Sequence, residues 1–147
     1  MINKQQHGLG IYLKPEVIRM VFLGFSAGLP YPLLFATLTV WLASVDIGIA
    51  EVSMFGWVGV IYAMKFLWAP MLDSLSIPFL SKTLGQRRAW MLLMQCCILI
   101  GLFYMSFFKP QTNLSWLAYL AIIIAFASAT QDIAIDAYRI EIIGNRF

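Results

Sequence analysis

The longest uncharged stretch of this chain places the strongest limit on how it can fold. Residues 20–45 form a run of 26 positions without Asp, Glu, Lys or Arg, whereas a bilayer-crossing helix needs about 20 apolar residues. The apolar core of a signal peptide is only about 7–15 residues long, so we expect an uncleaved span. The composition agrees, because 61% of residues are hydrophobic and 12% are charged, against roughly one half and one quarter in soluble domains. We therefore predict an all-α membrane protein.

Three further apolar segments bring the predicted number of transmembrane helices to four. The second segment contains a single charge, Lys65, and the fourth continues with helical character through Asp132 and Asp136. The bundle is predicted at residues 17–143, between cytoplasmic tails at residues 1–16 and 144–147. The four predicted spans are residues 17–45, 52–72, 89–108 and 115–138.

The basic residues predict the orientation of these spans. Eight Lys and Arg fall on one side of the predicted bundle, and Lys109 is alone on the other. By the positive-inside rule, the side with eight is cytoplasmic, so both termini are expected there and residues 46–51 and 109–115 face outward. The eight are Lys4, Lys14, Arg19, Lys82, Arg87, Arg88, Arg139 and Arg146.

The composition also excludes several classes of protein. The net charge is +3, but the basic residues are dispersed and form no stripe for nucleic acid. His7 is the only histidine, and the adjacent Cys96 and Cys97 cannot bridge each other without strain. No metal-ligand cluster or pairing of nucleophile and base is visible. We predict no metal, no cofactor and no enzymatic activity.

The first span carries two glycines and two prolines close to its middle, in the sequence GFSAGLPYP at residues 24–32. Pro30 and Pro32 free backbone carbonyls, so the helix should kink or locally unwind. Broken helices in membranes occur where protein or a water-filled cavity supplies the missing partners, which predicts a helix that lines a substrate path. The alternative is close helix packing through Gly24 and Gly28.

Charged side chains occur inside two other spans. Lys65 lies about 12 Å from the cytoplasmic face, counted at 1.5 Å per residue from Asp73, and it either pairs, faces a cavity or extends to the interface. Asp132 has a similar depth, beside Gln131, so we expect a pair with Lys65. Asp136 is one turn further on, where it either shares this face or pairs with Arg139.

The loop between the second and third spans contains an acid at its start and two arginines at its end. Asp73 could accept hydrogen bonds from Arg87 and Arg88, which would clamp the two helix ends together. Alternatively, Gly85 marks an ordinary turn and the arginines serve only as cytoplasmic charge.

Four segments, taken in order, resemble the AmpG-type muropeptide permeases of the major facilitator superfamily. They are GFSAGLPYPL at 24–33, KFLWAPMLD at 65–73, the loop motif of Asp73, Gly85, Arg87 and Arg88, and FASATQDIAIDAY at 126–138. The resemblance covers about residues 23–142. It implies the first four helices of a twelve-helix major facilitator fold, and therefore a truncated or split transporter.

This resemblance implies a parent activity of proton-driven import of anhydromuropeptides across the bacterial inner membrane for cell-wall recycling. Alternating access needs two helix bundles, so we expect no transport by this chain alone and a second chain as its partner in the bilayer. The alternative is a small four-helix assembly or regulatory subunit, which would pack through Gly24, Gly28 and residues 125–129. The expected proton or substrate path comprises Gly28, Pro30, Lys65, Gln131, Asp132 and Asp136, and the expected cytoplasmic gate comprises Asp73, Gly85, Arg87 and Arg88.

Overall fold

The described residues contain four helical segments that are long and apolar enough to cross a membrane, as the sequence predicts. The computed structural model describes residues 14–75, 77–78 and 81–144, in which the regular structure is helical throughout. The predicted tail residues 1–13 and 145–147, including Lys4 and Arg146, lie outside this described part. We name the segments span 1 (Val17–Ser44), span 2 (Ile49–Leu67), span 3 (Gln86–Met105) and span 4 (Pro110–Ile142).

Span 1 is interrupted where its prolines predict a break. Its first α-helix ends at Gly28, and Leu29 separates it from the next turn. A π-helical segment then widens the backbone before the α-helix resumes. Because Pro30 and Pro32 have no N–H group, they cannot donate to the preceding turn, and the helix changes its pitch instead. The successive segments are Pro15–Gly28, Pro30–Pro32, Leu33–Thr37 and Leu38–Ser44.

Span 2 differs from the continuous helix expected at residues 52–72. The backbone leaves the α conformation at Met64 (φ −91°, ψ 3°), and the turn that follows, which contains Lys65, is a 3₁₀ segment that ends before Trp68. Pro70 lacks the N–H group that would continue the helix from the preceding turn. The Trp68 indole N–H donates to Thr130 Oγ1 of span 4 at 3.2 Å, which anchors the irregular turn. The segments of span 2 are Ile49–Ser53, Met54–Gly56, Trp57–Ala63 and Lys65–Leu67, and the helix Ala69–Ser74 follows it.

Spans 3 and 4 begin earlier than the sequence predicts. After a short helix at Ser81–Leu84, span 3 lies in the helix Gln86–Met105, which follows Gly85 at φ +86°. Span 4 lies in the helix Pro110–Gly144, so most of the expected outer loop at residues 109–115 is helical, apart from a kink at Asn113. Proline is favoured at the first helical position because its missing N–H is not needed there.

Span 4 is the central helix and packs against the other three spans, most extensively against span 3. A Cβ added to Gly101 would lie 2.6 Å from Ile124 Cγ1, so this glycine allows spans 3 and 4 to approach closely. The four small residues within 125–129 all pack inside the bundle, since each is buried, whereas Phe126 among them is exposed. The buried core includes Leu34, Leu42, Val58, Ile98, Leu117, Ile124 and Ala125.

Candidate functional site

An ion pair joins spans 2 and 4 inside the membrane region. Lys65 Nζ lies 3.6 Å from Asp132 Oδ2, and the two side chains are only 36% and 24% exposed. Lys65 stands on the irregular turn of span 2, whereas Asp132 stands on the unbroken part of span 4. The structure therefore brings together the two charges for which a pair was expected.

Asp132 and Asp136 both line a cavity of about 380 Å³ that opens between spans 1, 2 and 4. Gly28 lines the same cavity, and a Cβ added there would meet no atom within 4 Å. Gly28 therefore borders open space and does not pack against a second helix. Gly24 also lines the cavity, and a Cβ added there would lie 3.0 Å from the guanidinium of Arg139. The remaining lining residues are Ala27, Tyr31, Tyr62, Ile135 and Arg139.

Of the six predicted path residues, Gly28, Asp132 and Asp136 line this cavity, whereas Pro30, Lys65 and Gln131 do not. Pro30 is buried and does not line the cavity, so its contribution is the break in span 1. Asp136 Oδ1 lies 3.8 Å from Arg139 Nη1 on the same helix. Asp136 therefore combines the two alternatives, because it pairs with Arg139 and also faces the cavity.

Aromatic side chains that the sequence analysis did not identify form one wall of this cavity. The Tyr31 ring contacts Tyr62 edge-on at a centroid distance of 5.0 Å and lies 4.7 Å from the Phe35 ring. The hydroxyl of Tyr62 is buried without a hydrogen-bond partner among the described residues. Tyrosines are common in membrane helices, so their pattern in the sequence gave no signal for this role.

Gln131 lies in a hydrogen-bonded cluster that connects three spans. Its Nε2 donates to Gln95 Oε1 of span 3 at 2.7 Å and to Ser26 Oγ of span 1 at 3.5 Å. The Ser26 hydroxyl in turn donates to Gln95 Oε1 at 3.1 Å. Gln131 is 3% exposed. Ser26 and Gln95 are not among the residues predicted from the sequence, although Gln95 is the only amide side chain in the predicted third span and is a visible signal.

Two of the predicted gate residues, Asp73 and Arg87, meet between the end of span 2 and the start of span 3, next to the end of span 4. Arg87 Nη1 donates to Asp73 Oδ1 at 3.2 Å, as the clamp hypothesis requires, and Arg87 Nε lies 3.1 Å from Glu141 Oε2 of span 4. Arg88 does not join this clamp, because its Nη2 donates to Tyr138 Oη at 2.9 Å. The pattern of an arginine pair could not assign these separate partners.

Gln86 also holds the end of the short helix that follows span 2. Gln86 Nε2 donates to the backbone carbonyls of Leu72, Asp73 and Leu75 at 3.0–3.2 Å. These carbonyls belong to the last turn before the loop and would otherwise lack partners. Gly85 permits this arrangement, since its φ of +86° lies in a region that other residues rarely adopt.

The acidic and thiol side chains of the described residues do not assemble into a metal site. No group of three or more His, Cys, Asp or Glu is close enough to hold an ion within the described ranges.

Comparison with known proteins identifies transporters. Residues 16–146 match the family model described as acetyl-coenzyme A transporter 1. The chain is 38% identical over 135 residues to the anhydromuropeptide permease of Escherichia coli K12, covering 92% of this chain and 27% of that protein. It is 45% identical over 130 residues to an uncharacterized protein of Haemophilus influenzae, covering 88% and 30%. A Rickettsia felis protein that carries the name of an AmpG transporter is 36% identical over 131 residues, covering 89% and 31%. The chain thus spans less than one third of the length of these relatives.

Proposed function

Because this chain belongs to the family described as acetyl-coenzyme A transporter 1, we propose that its four spans form part of an AmpG-type permease that imports anhydromuropeptides. The resemblance to AmpG-type permeases is confirmed by relatives that carry those names. Their names favour muropeptides over acetyl-coenzyme A as the solute. The observation that carries the proposal is a cavity within a membrane bundle that Asp132 and Asp136 line, with Lys65 paired to Asp132 at 3.6 Å.

The cavity offers the chemistry that a sugar linked to a peptide requires. Tyr31 is 46% exposed on the cavity wall and presents a ring that a sugar can contact. On the cavity wall, Arg139 carries positive charge for the carboxylates of a peptide and Asp136 carries negative charge for its amines. Charges inside membrane proteins are costly and usually mark solute or ion paths.

The pair between Lys65 and Asp132 supports coupling to protons. Asp132 stays ionised while the ammonium of Lys65 lies beside it. If spans 2 and 4 separate during the transport cycle, Asp132 loses its cation and takes up a proton, which it releases when the pair forms again. The irregular turn at Lys65 lets this side chain move without shifting a whole helix.

The contacts of Arg87 support a cytoplasmic gate. This guanidinium holds the ends of spans 2 and 4 together through Asp73 and Glu141. All three side chains are partly exposed, so the contacts can break and form again during a cycle at small cost. We propose that this gate lies on the cytoplasmic side of the bacterial inner membrane and that both chain termini are cytoplasmic.

Transport needs more helices than these four. Alternating access requires two bundles that rock around a shared site. The four spans supply only one side of such a site. We therefore propose that further helices, on the same polypeptide or on a second chain, complete the permease. The relatives are more than three times as long as the matched region.

The decisive experiment measures uptake in cells that lack their own muropeptide permease. The 147-residue chain is expressed alone or with the remaining helices of a relative, and accumulation of labelled anhydromuropeptide is followed. We expect uptake only with the added helices, and we expect Asp132→Asn to abolish it. Asp46→Asn is the matched control, because it makes the same change in an exposed turn between spans 1 and 2. Uptake by the four spans alone, or full activity of Asp132→Asn, would contradict the proposal.

The alternative role as an assembly or regulatory subunit predicts a different result. It requires membrane insertion and association with another protein, but no uptake in either condition. The small residues at 125–129 give it little support, because they are mainly used for packing within the bundle. Gly28 remains open, but it faces the cavity that contains Asp132.

A further inference from the structure

A second groove lies between spans 1 and 3, outside the cavity described above. Its volume is about 650 Å³, and its wall is mainly apolar. Leu29 lies ten residues beyond Arg19 on span 1, so the groove extends for about 15 Å along that helix. The apolar wall is formed by Phe22, Leu23, Phe25, Leu29 and Met91.

One end of this groove is polar and positively charged. Arg19 from span 1, Arg88 from span 3 and Tyr138 from span 4 all line it there. Arg88 is held in place, because its Nη2 donates to Tyr138 Oη at 2.9 Å and its guanidinium carbon lies 5.4 Å from the centroid of the Tyr138 ring. This contact uses one of the five N–H donors of an arginine and leaves the others available.

Neither arginine has a carboxylate partner within 4.0 Å among the side chains that the structure describes, in contrast to the adjacent Arg87, which has two. Two guanidiniums at one end of a membrane groove create a local excess of positive charge. Arginine binds phosphate particularly well, because its planar fork of N–H groups matches the phosphate oxygens.

We propose that this groove binds an anionic phospholipid, with its phosphate between Arg19 and Arg88 and an acyl chain along Phe22, Leu29 and Met91. The charged end and the apolar wall follow one another in the order of a lipid headgroup and its chain. Basic pockets between transmembrane helices are known to favour anionic headgroups. The site is separate from the ion pair of Lys65 and Asp132.

The shape of the wall favours a lipid over another protein helix. Interfaces between membrane helices are enriched in small residues that let backbones approach. Here the wall consists mostly of large side chains, and Phe22 and Phe25 are 70% and 66% exposed. Such side chains suit a flexible acyl chain, which can adapt to an uneven surface.

The test counts lipids bound to the purified 147-residue chain by native mass spectrometry. Phosphatidylglycerol is compared with phosphatidylcholine of the same acyl composition. We expect phosphatidylglycerol to remain bound to the chain when phosphatidylcholine is present at the same concentration. Arg19→Gln and Arg88→Gln should each weaken phosphatidylglycerol binding about fivefold, the effect of roughly one basic side chain at a membrane surface.

Lys109→Gln is the matched control, because it removes one positive charge on the opposite side of the bundle and should leave binding unchanged. Equal retention of the two lipids would overturn the proposal, and this comparison needs no variant to fold. Unchanged binding by both arginine variants would also overturn it. Displacement of the phosphatidylglycerol by co-expressed helices of a relative would show that the groove is a helix contact and would likewise refute the lipid site.

Discussion

Lys65 Nζ and Asp132 Oδ2 lie 3.6 Å apart and connect the irregular turn of span 2 to the central helix of the bundle. Each charge compensates the other at a depth where a single charge is expensive. Both side chains retain some exposure and Asp132 lines the cavity, so the pair combines a structural role with access to a solute through Asp132. The stability and the activity of the protein should therefore depend on this pair in different ways.

Breaking the pair from one side should destabilise the bundle more than removing both charges. We expect Lys65→Met to lower the free energy of unfolding by an intermediate amount. An exposed ion pair contributes about 1 kcal/mol or less, whereas breaking a fully buried pair costs about 3–5 kcal/mol. Adding Asp132→Leu should restore most of this loss, because no uncompensated charge remains. Unfolding of the purified chain in mixed micelles, followed by circular dichroism, measures both variants.

Arg139→Met and Asp136→Leu provide the control cycle for that experiment. These residues form a more exposed pair within span 4, for which a coupling of only about 0.3–0.5 kcal/mol is expected. Strictly additive losses for Lys65→Met and Asp132→Leu would contradict the predicted coupling.

The amide cluster should contribute to the packing of spans 1, 3 and 4. Gln95→Leu removes the acceptor for both Gln131 Nε2 and the Ser26 hydroxyl. We expect a loss of roughly 0.6–1.7 kcal/mol in the free energy of unfolding, from the mean to the maximum measured for hydrogen bonds between membrane helices. Gln111→Leu makes the same change at an exposed position near the start of span 4 and should have little effect. Equal stabilities for the two variants would show that the cluster adds nothing to packing.

The contact of Gly101 with Ile124 should not tolerate a methyl group. A Cβ at position 101 would lie 2.6 Å from Ile124 Cγ1, so Gly101→Ala must push spans 3 and 4 apart. The expected loss is about 1–3 kcal/mol, as for other overpacked cores. Gly56→Ala is the control, since its Cβ would meet no atom within 4 Å. The same micelle unfolding assay compares them, and a Gly101→Ala variant as stable as Gly56→Ala would refute the close contact.

The distribution of basic residues predicts the orientation in the membrane. Reporter fusions after Ile49 and Thr112 should be active outside the cytoplasm, because both positions lie at the end of the bundle with Lys109. Fusions after Leu84 and at the C-terminus should be active in the cytoplasm. A pair of enzymes that work on opposite sides, such as alkaline phosphatase and β-galactosidase, gives a positive signal in each case. An external signal at Leu84 would reverse the topology.

The sequence alone determined the number of spans and the break in the first of them. Both follow from local properties, because an apolar run has a fixed length per crossing and a proline removes its own N–H group wherever it stands. Depth along a helix is also local, so the similar depth of Lys65 and Asp132 could be counted from residue positions. The pairing of these charges followed from the cost of leaving either one alone in the membrane.

The tertiary structure alone decided which helix faces meet. Successive side chains point in different directions around a helix, with 3.6 residues per turn. A small change in where a helix starts, or in its pitch, therefore brings different side chains into contact. This selection placed Gln95 beside Gln131, left Gly28 open to the cavity and separated Arg88 from the clamp that Arg87 forms. The early start of span 4 at Pro110 and the turn around Lys65 are part of the same geometry, because backbone breaks persist only where neighbouring helices supply the lost contacts.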